Sequence, residues 1–196
     1  MSKYLILKRV IDFIFAIMVL PFFLLIVFIV GVLIIVNDKG TIFYKSKRIG
    51  MNGRIILIYK FRTMKMNAPD IRNSDGTTYN SIEDKRVTKI GKILRATSLD
   101  ELPQIINIVK GEMSFIGPRP DLPDALDLYT DEQREKLKVQ PGITGYNQAY
   151  FRNSLSLNEQ LENDRYYANN VSLAFDIRIF FKTFVTVLFR KNIYRR

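Results

Sequence analysis

The sequence predicts an α+β, mostly helical chain: an N-terminal re-entrant membrane helix over residues 1–37, then a small cytosolic domain over 38–196 with a short β-hairpin and interfacial amphipathic helices. Three observations predict it. Residues 13–36 carry no formal charge and consist mainly of Ile, Leu, Val and Phe. The rest of the 196-residue chain carries nearly all the charge, at a net +11. Beyond residue 86, apolar positions recur at helical spacing in several short segments, whereas there is one strong hairpin signal. The length suits one domain plus an appendage.

A run of about 20 apolar residues suffices to cross a bilayer as a helix. A secretory signal would have a shorter apolar run followed by a small-residue cleavage site, and none follows here. Both flanks are cationic, with Lys3, Lys8 and Arg9 before the run and Lys39, Lys45, Lys47 and Arg48 after it. Cationic flanks favour the cytoplasmic side. A single span must place one set on the wrong side, whereas a segment that enters and leaves through one leaflet places both correctly. Pro21 lacks a backbone donor and offers a point at which to bend. Asp12, one turn after Lys8, is spaced to pair with it. An ordinary single span that tolerates its Pro is the competing reading.

Residues 41–48 and 54–62 read as two strands joined at Asn52-Gly53, a strong hairpin turn. Residues 65–86 are polar, with Pro69 and Asp75-Gly76, and read as a long loop. Helices are expected over 87–96 and over 99–109, the latter stopped by Lys110-Gly111. An acidic-then-basic surface helix is expected over 122–138, broken by Gln140-Pro141-Gly142. Residues 142–153 look irregular, and 156–169 look helical. The segment 175–191 carries Ile177, Phe180, Phe181, Phe184, Val187 and Leu188 with Arg178, Lys182, Arg190 and Lys191. Such a basic amphipathic helix lies in a membrane interface or packs on the core.

Composition narrows the chemistry. With no His and no Cys, the chain lacks the commonest general base, Cys-ligated zinc and any disulfide. The strong positive charge calls for an anionic partner. Carboxylates remain, and the densest signal is Ser98-Leu99-Asp100-Glu101. It matches a capping box, with Ser98 as N-cap and Glu101 three residues on. Asp100 then sits in the first turn, where the helix dipole and free donors keep it ionised. Ordinary capping would account for that much. An ionised Asp beside cations can also attack phosphorus, and an adjacent Glu can hold a divalent cation together with phosphate. Lys60, Arg62, Arg95 and Arg119 lie in segments that turns can bring near, and Arg matches phosphate geometry.

The runs Arg86-Val87-Thr88-Lys89-Ile90-Gly91, Arg95 through Gln104, Asn107-Ile108-Val109-Lys110-Gly111-Glu112-Met113-Ser114 and Gly117-Pro118-Arg119-Pro120 resemble the bacterial sugar transferase family. More narrowly, they resemble its small monotopic polyprenol-phosphate phosphoglycosyl transferases. Lys8-Arg9 with Asp12, Tyr59-Lys60-Phe61-Arg62-Thr63-Met64, Gln140-Pro141-Gly142-Ile143-Thr144-Gly145, Arg152-Asn153 and Asp164 with Tyr166-Tyr167 extend the resemblance over nearly the whole chain. It implies a catalytic domain on the cytoplasmic face of the bacterial inner membrane, anchored by a re-entrant helix. The implied reaction moves a phosphosugar from a UDP-sugar to a polyprenol phosphate and releases UMP, at the start of glycoconjugate assembly. Asp100 would be the covalent nucleophile and Glu101 the Mg²⁺ ligand. Arg95 and Arg119 would meet phosphate or nucleotide, and Lys60, Gln148, Arg152, Asp164 and Asp176 follow by motif position. The sequence departs from the family pattern at Leu20-Pro21, which precedes the usual Ser-Pro position, and at Phe151, where many members carry Gly. Membrane lipid is an expected partner, and a homo-oligomer is compatible with the resemblance. The alternative is a non-enzymatic, membrane-anchored basic protein that binds anionic lipid or nucleic acid without Mg²⁺. Nucleic acid is not expected, because zinc-finger spacing and an RNP-like aromatic motif are both absent.

Overall fold

The computed structural model describes residues 3–72, 79, 81, 83–151 and 154–189. Helix α1 (Lys3–Asp38) continues through Pro21 for 36 residues, a length of about 54 Å. It is long and apolar enough to cross a membrane. Lys8, Asp12, Ala16, Phe23, Val30, Gly31 and Ile34 are buried on it, with spacing that traces one stripe. Ala16 and Phe23 pack with Ile58, Ile105, Ile108 and Met113, while Val30 and Ile34 pack with Phe61 and Leu94. The remaining circumference stays apolar and exposed, as at Phe22, Phe28 and Val36. That belt suits a non-aqueous surrounding.

Both ends of α1 are tied to the body. Lys8 donates to Asp176 Oδ2 at 2.6 Å, and Arg62 pairs with Asp38. The expected Lys8–Asp12 pair is not the one formed, since Lys8 reaches Asp176 and Asp12 Oδ1 accepts from the Phe115 N–H at 3.4 Å. A partner distant in sequence displaces the one a turn away.

Strands β1 (Phe43–Ile49) and β2 (Ile55–Phe61) pair antiparallel, from Phe43↔Phe61 to Ile49↔Ile55. Asn52 (φ 57°) and Gly53 (φ 75°) supply the left-handed turn, as the Asn-Gly signal requires. Helix α2 (Lys89–Thr97) is capped by Thr88, whose Oγ1 accepts from the Gly91 N–H at 2.9 Å. A 3-10 segment, Leu99–Gln104, then leads into α3 (Ile105–Lys110), so the expected 99–109 helix is split. Asn107 of α3 is fully buried. Its Oδ1 accepts from the Tyr59 N–H at 3.2 Å and its Nδ2 donates to Leu57 O at 2.8 Å. The amide thus completes the free edge of β2. Nδ2 also meets Glu112 Oε2 at 2.6 Å.

Strands β3 (Ser114–Ile116) and β4 (Gly142–Thr144) pair in parallel. They cross so closely that a Cβ on Gly117 would lie 2.3 Å from Gln140 O, and one on Gly142 would lie 2.1 Å from Gly117 N. The expected surface helix over 122–138 is instead two short 3-10 segments, Pro123–Leu128 and Gln133–Lys138. The reason lies at Lys136, which is buried between Asp121 and Asp164, 2.7 Å from each, and is not solvated on a helix face. Within 142–153, where irregular structure was expected, lie β4 and α4 (Tyr146–Tyr150). Helix α5 (Leu157–Asn170) carries a true capping box from Ser156 and Glu159. Helix α6 (Leu173–Leu188) turns Asp176, Ile179 and Thr186 inward and leaves Ile177, Phe180, Phe181 and Phe184 exposed. Ile179 packs in the core with Ala149 and Tyr167, as the core-packing reading has it, while the Phe face points outward. The expected Arg190 and Lys191 lie outside the described residues, as do Asp75 and Gly76 of the long loop.

Replacing Asn107 with Asp keeps the shape but removes the Nδ2 donor and sets a carboxylate against Leu57 O and Glu112. We expect Asn107→Asp to lower unfolding stability by about 3 kcal/mol in denaturant titrations of the detergent-solubilised protein. An unchanged midpoint would contradict the edge-completing role.

Candidate active site

Asp100 and Glu101 are presented by a bent junction. Helix α2 ends at Ser98, which adopts the left-handed conformation (φ 58°, ψ 17°) and makes no side-chain cap. The expected capping box at Ser98–Glu101 is therefore absent. Ser98 is itself the terminator of α2, with its N–H returning to Arg95 O at 3.2 Å. Leu99 and Leu102 turn into the core, and Pro103 and Gln104 are buried. These anchors fix the 3-10 segment against β2, where Glu101 reaches Lys60.

Glu101 is the centre of the cluster. Its Oε1 accepts from Lys60 Nζ at 2.5 Å and from Arg119 Nη1 at 3.4 Å. Lys60 comes from β2 and Arg119 from the turn after β3, so three separate segments converge on one oxygen. Burial works against the charge on Glu101, but Lys60 and Arg119 together outweigh it and hold the carboxyl well below its usual range. Asp100 goes the other way: burial dominates and the Glu101 charge adds to it, so its pKa is raised despite Lys60, Arg95 and Arg119. Neighbouring carboxyls pushed in opposite directions are an arrangement that acid–base sites use.

The other expected residues fall in different places. Arg95 lies by this cluster and donates from Nε to Thr63 Oγ1 at 3.0 Å. Arg62 is not brought to it: its Nε donates to Thr41 O at 2.6 Å and it pairs with Asp38, closing the end of α1. Asp164 holds Lys136 and accepts from Asn147 Nδ2 at 2.8 Å. Asp176 accepts from Tyr4 and Lys8, each at 2.6 Å, and from Tyr167 at 2.7 Å. Both aspartates are thus joined to partners inside the fold and form no bond to Asp100 or Glu101. Gln148 has its Oε1 and Nε2 buried and without partners. Arg152 lies outside the described residues.

The model of the bacterial sugar transferase family matches residues 3–190. The chain belongs to that family. Among the transferase's relatives, the exopolysaccharide production protein ExoY of Sinorhizobium fredii is 39% identical over 202 residues, covering 95% of this chain and 88% of that protein. An uncharacterized sugar transferase of Bacillus subtilis, EpsL, is 39% identical over 189 residues, covering 96% and 90%. An Aeromonas hydrophila protein named UDP-N-acetylgalactosamine-undecaprenyl-phosphate N-acetylgalactosaminephosphotransferase is 35% identical over 191 residues. That match covers 94% of this chain but 44% of the larger relative.

The transferase's acids also bear on a metal. Among the described residues there is no cluster of three or more metal-ligating side chains. Mg²⁺ is nevertheless held in phosphate-handling enzymes by one or two carboxylates, with substrate oxygens and water completing the shell. The adjacent Asp100 and Glu101 carboxyls supply a donor set of that kind, so the residues fit.

Sequence reasoning missed Asp121 and Lys136, which continue the charge chain from Arg119, and it treated Arg48 only as a membrane flank. The sequence held no signal for Arg48. A two-residue Asn52-Gly53 loop would pair it with Leu57, whereas the observed register, one residue off, pairs Tyr44 with Lys60 and Arg48 with Ile56. Such a slip moves a side chain to the other face of the strand, and cross-strand partners share a face. Arg48 therefore lies on the face that carries Lys60.

A double-mutant cycle tests the shared oxygen. Lys60→Met and Glu101→Gln, singly and together, should show a coupling of about 0.5–3 kcal/mol in thermal or denaturant unfolding. Strict additivity would contradict the pairing.

Proposed function

We propose that the transferase moves a phosphosugar from a UDP-sugar to a polyprenol phosphate at the cytoplasmic face of the membrane, through a covalent intermediate on Asp100. The observation that carries this reading is the Asp100-Glu101 pair, with Lys60 and Arg119 gathered on one of its oxygens. The name of the Aeromonas relative, which couples a UDP-sugar to undecaprenyl phosphate, supports the substrate classes. The names of the ExoY proteins support a role in exopolysaccharide production, of which this transfer would be the starting step.

In the first step an Asp100 carboxylate oxygen attacks the sugar-side phosphorus. The bond from that phosphorus to the bridging oxygen breaks, and UMP leaves with the oxygen and the electron pair. Lys60, Arg95 and Arg119 hold the negative charge that develops on the phosphoryl oxygens. Glu101 keeps its charge under its two cations and is the residue that would hold Mg²⁺, with Asp100 beside it. When bound, the ion neutralises charge on the diphosphate. In the second step an oxygen of the polyprenol phosphate attacks the same phosphorus and releases Asp100 as carboxylate. One site thus serves two anionic substrates in turn, and the bond count closes at each step.

A re-entrant α1 suits the acceptor. Its two ends are tied to one body, by Lys8–Asp176 and by Asp38–Arg62, and in this reading both cationic flanks stay on the cytoplasmic side. The apolar belt of α1 and the outward Phe face of α6 then seat the body at the lipid surface. There, the search for a lipid-borne phosphate is confined to two dimensions.

With polyprenol phosphate and Mg²⁺, a screen of UDP-sugars should find at least one donor that gives UMP release. Asp100→Asn should abolish that turnover, by a factor of about 10³ or more. Full turnover in Asp100→Asn would refute the reading. Topology has its own test, since the chain has no native Cys. In inverted vesicles an impermeant maleimide should label both Lys3→Cys and Lys39→Cys, and in intact spheroplasts neither. Labelling on opposite sides would establish a single span instead.

A further inference from the structure

We infer that Arg48 forms, with Arg119, a phosphate-binding pair in this site. The inference rests on the reading above and extends it to a residue that none of the sequence motifs singled out. Arg48 sits on the Lys60 face of the hairpin, one residue before the point where the Ile49 N–H bonds Asp121 O at 2.9 Å. That bond fixes the end of β1 against the turn that carries Arg119.

The local charges do not balance. Arg48 Nε is buried and has no hydrogen-bond partner, and Arg48 forms no ion pair among the described residues. The two acids that act on Arg48 most strongly, Asp121 and Glu101, are taken. Glu101 Oε1 is shared by Lys60 and Arg119, and Asp121 Oδ2 is held by Lys136 at 2.7 Å and by the Tyr129 hydroxyl. Burial lowers the pKa of the Arg48 guanidinium, and the like charge of Arg119 lowers it further. A desolvated donor with no partner, within reach of a second guanidinium's charge, is costly in the free protein. A phosphate with two or more free oxygens relieves both faults, because it accepts from the idle Nε and screens the two cations from each other. Two guanidinium groups from different segments also match the spread of charge on a phosphate group better than one.

That phosphate belongs either to the nucleotide donor or to the lipid acceptor, and the experiment separates the two. The full-length protein in detergent is compared with Arg48→Gln and Arg48→Lys. UMP and inorganic pyrophosphate affinities are measured by calorimetry with Mg²⁺ present, and KM is measured for donor and for acceptor. Loss of one charged hydrogen bond should weaken the affected ligand about 10- to 100-fold in Arg48→Gln, with partial recovery in Arg48→Lys. Weaker UMP and a raised donor KM assign the donor phosphate. Unchanged UMP affinity with a raised acceptor KM assigns the lipid phosphate. A melting temperature of Arg48→Gln at or above wild type is also expected, because an unpaired cation has been removed; a purely structural arginine would show a drop. If wild type binds the probes and Arg48→Gln matches it in affinities and both KM values, this inference fails alone. If wild type binds neither probe and turns over no donor, the functional reading fails and takes the inference with it.

Discussion

Glu101 Oε1 is the point on which the site is built. One carboxylate oxygen accepts from a strand lysine and from a turn arginine, and the carboxylate belongs to a 3-10 segment that is itself fixed by buried Leu, Pro and Gln neighbours. Remove that oxygen and two cations lose their shared partner at once. Keep it, and the adjacent Asp100 experiences a like charge, partial burial and a ring of cations together. A charged Glu and a neighbouring Asp with a raised pKa are two results of one arrangement.

The backbone makes that convergence possible at close quarters. Asn107 completes the edge of β2, which places Lys60. The crossing of Gly117 with Gly142 brings β3 and β4 close enough to aim the rigid Pro118-Arg119-Pro120 turn. Ser98 in the left-handed conformation ends α2 and starts the 3-10 turn that carries Asp100 and Glu101. Each device is local, but each is needed because its partner lies far away in the chain. The same body holds both ends of α1, so the acid pair and the apolar helix belong to one packed unit.

Much of this was legible in the sequence. The apolar run, the Asn52-Gly53 hairpin, the helices near 87–96 and 156–169, and the outward Phe face near the C-terminus all rest on periodicity or turn chemistry, which act over a few residues. What the sequence hid depends on long-range pairing. Lys8 finds Asp176, not Asp12, because the fold sets Asp176 2.6 Å from its ammonium, a placement that helical spacing does not reveal. Lys136 becomes an interior cation because two aspartates from other segments close on it, so the surface helix expected there does not form. The S-x-D-E pattern imitates a capping box at 98–101, but its Glu is claimed by Lys60 and Arg119. The box with the same chemistry stands at Ser156 and Glu159, where no such competitor exists. Of the expected site residues, Asp100, Glu101, Lys60, Arg95 and Arg119 converge. Arg62, Asp164 and Asp176 have partners elsewhere in the fold, and no local pattern distinguishes these two groups.

The most direct test of the account is the mass of the protein itself. Wild-type enzyme mixed with its UDP-sugar and Mg²⁺, with no lipid added, should gain the mass of one phosphosugar. Peptide mapping should place it on Asp100, and added polyprenol phosphate should discharge it. Sustained UMP release in the presence of lipid, with no adduct trapped at any time or with the adduct on another residue, would contradict the account.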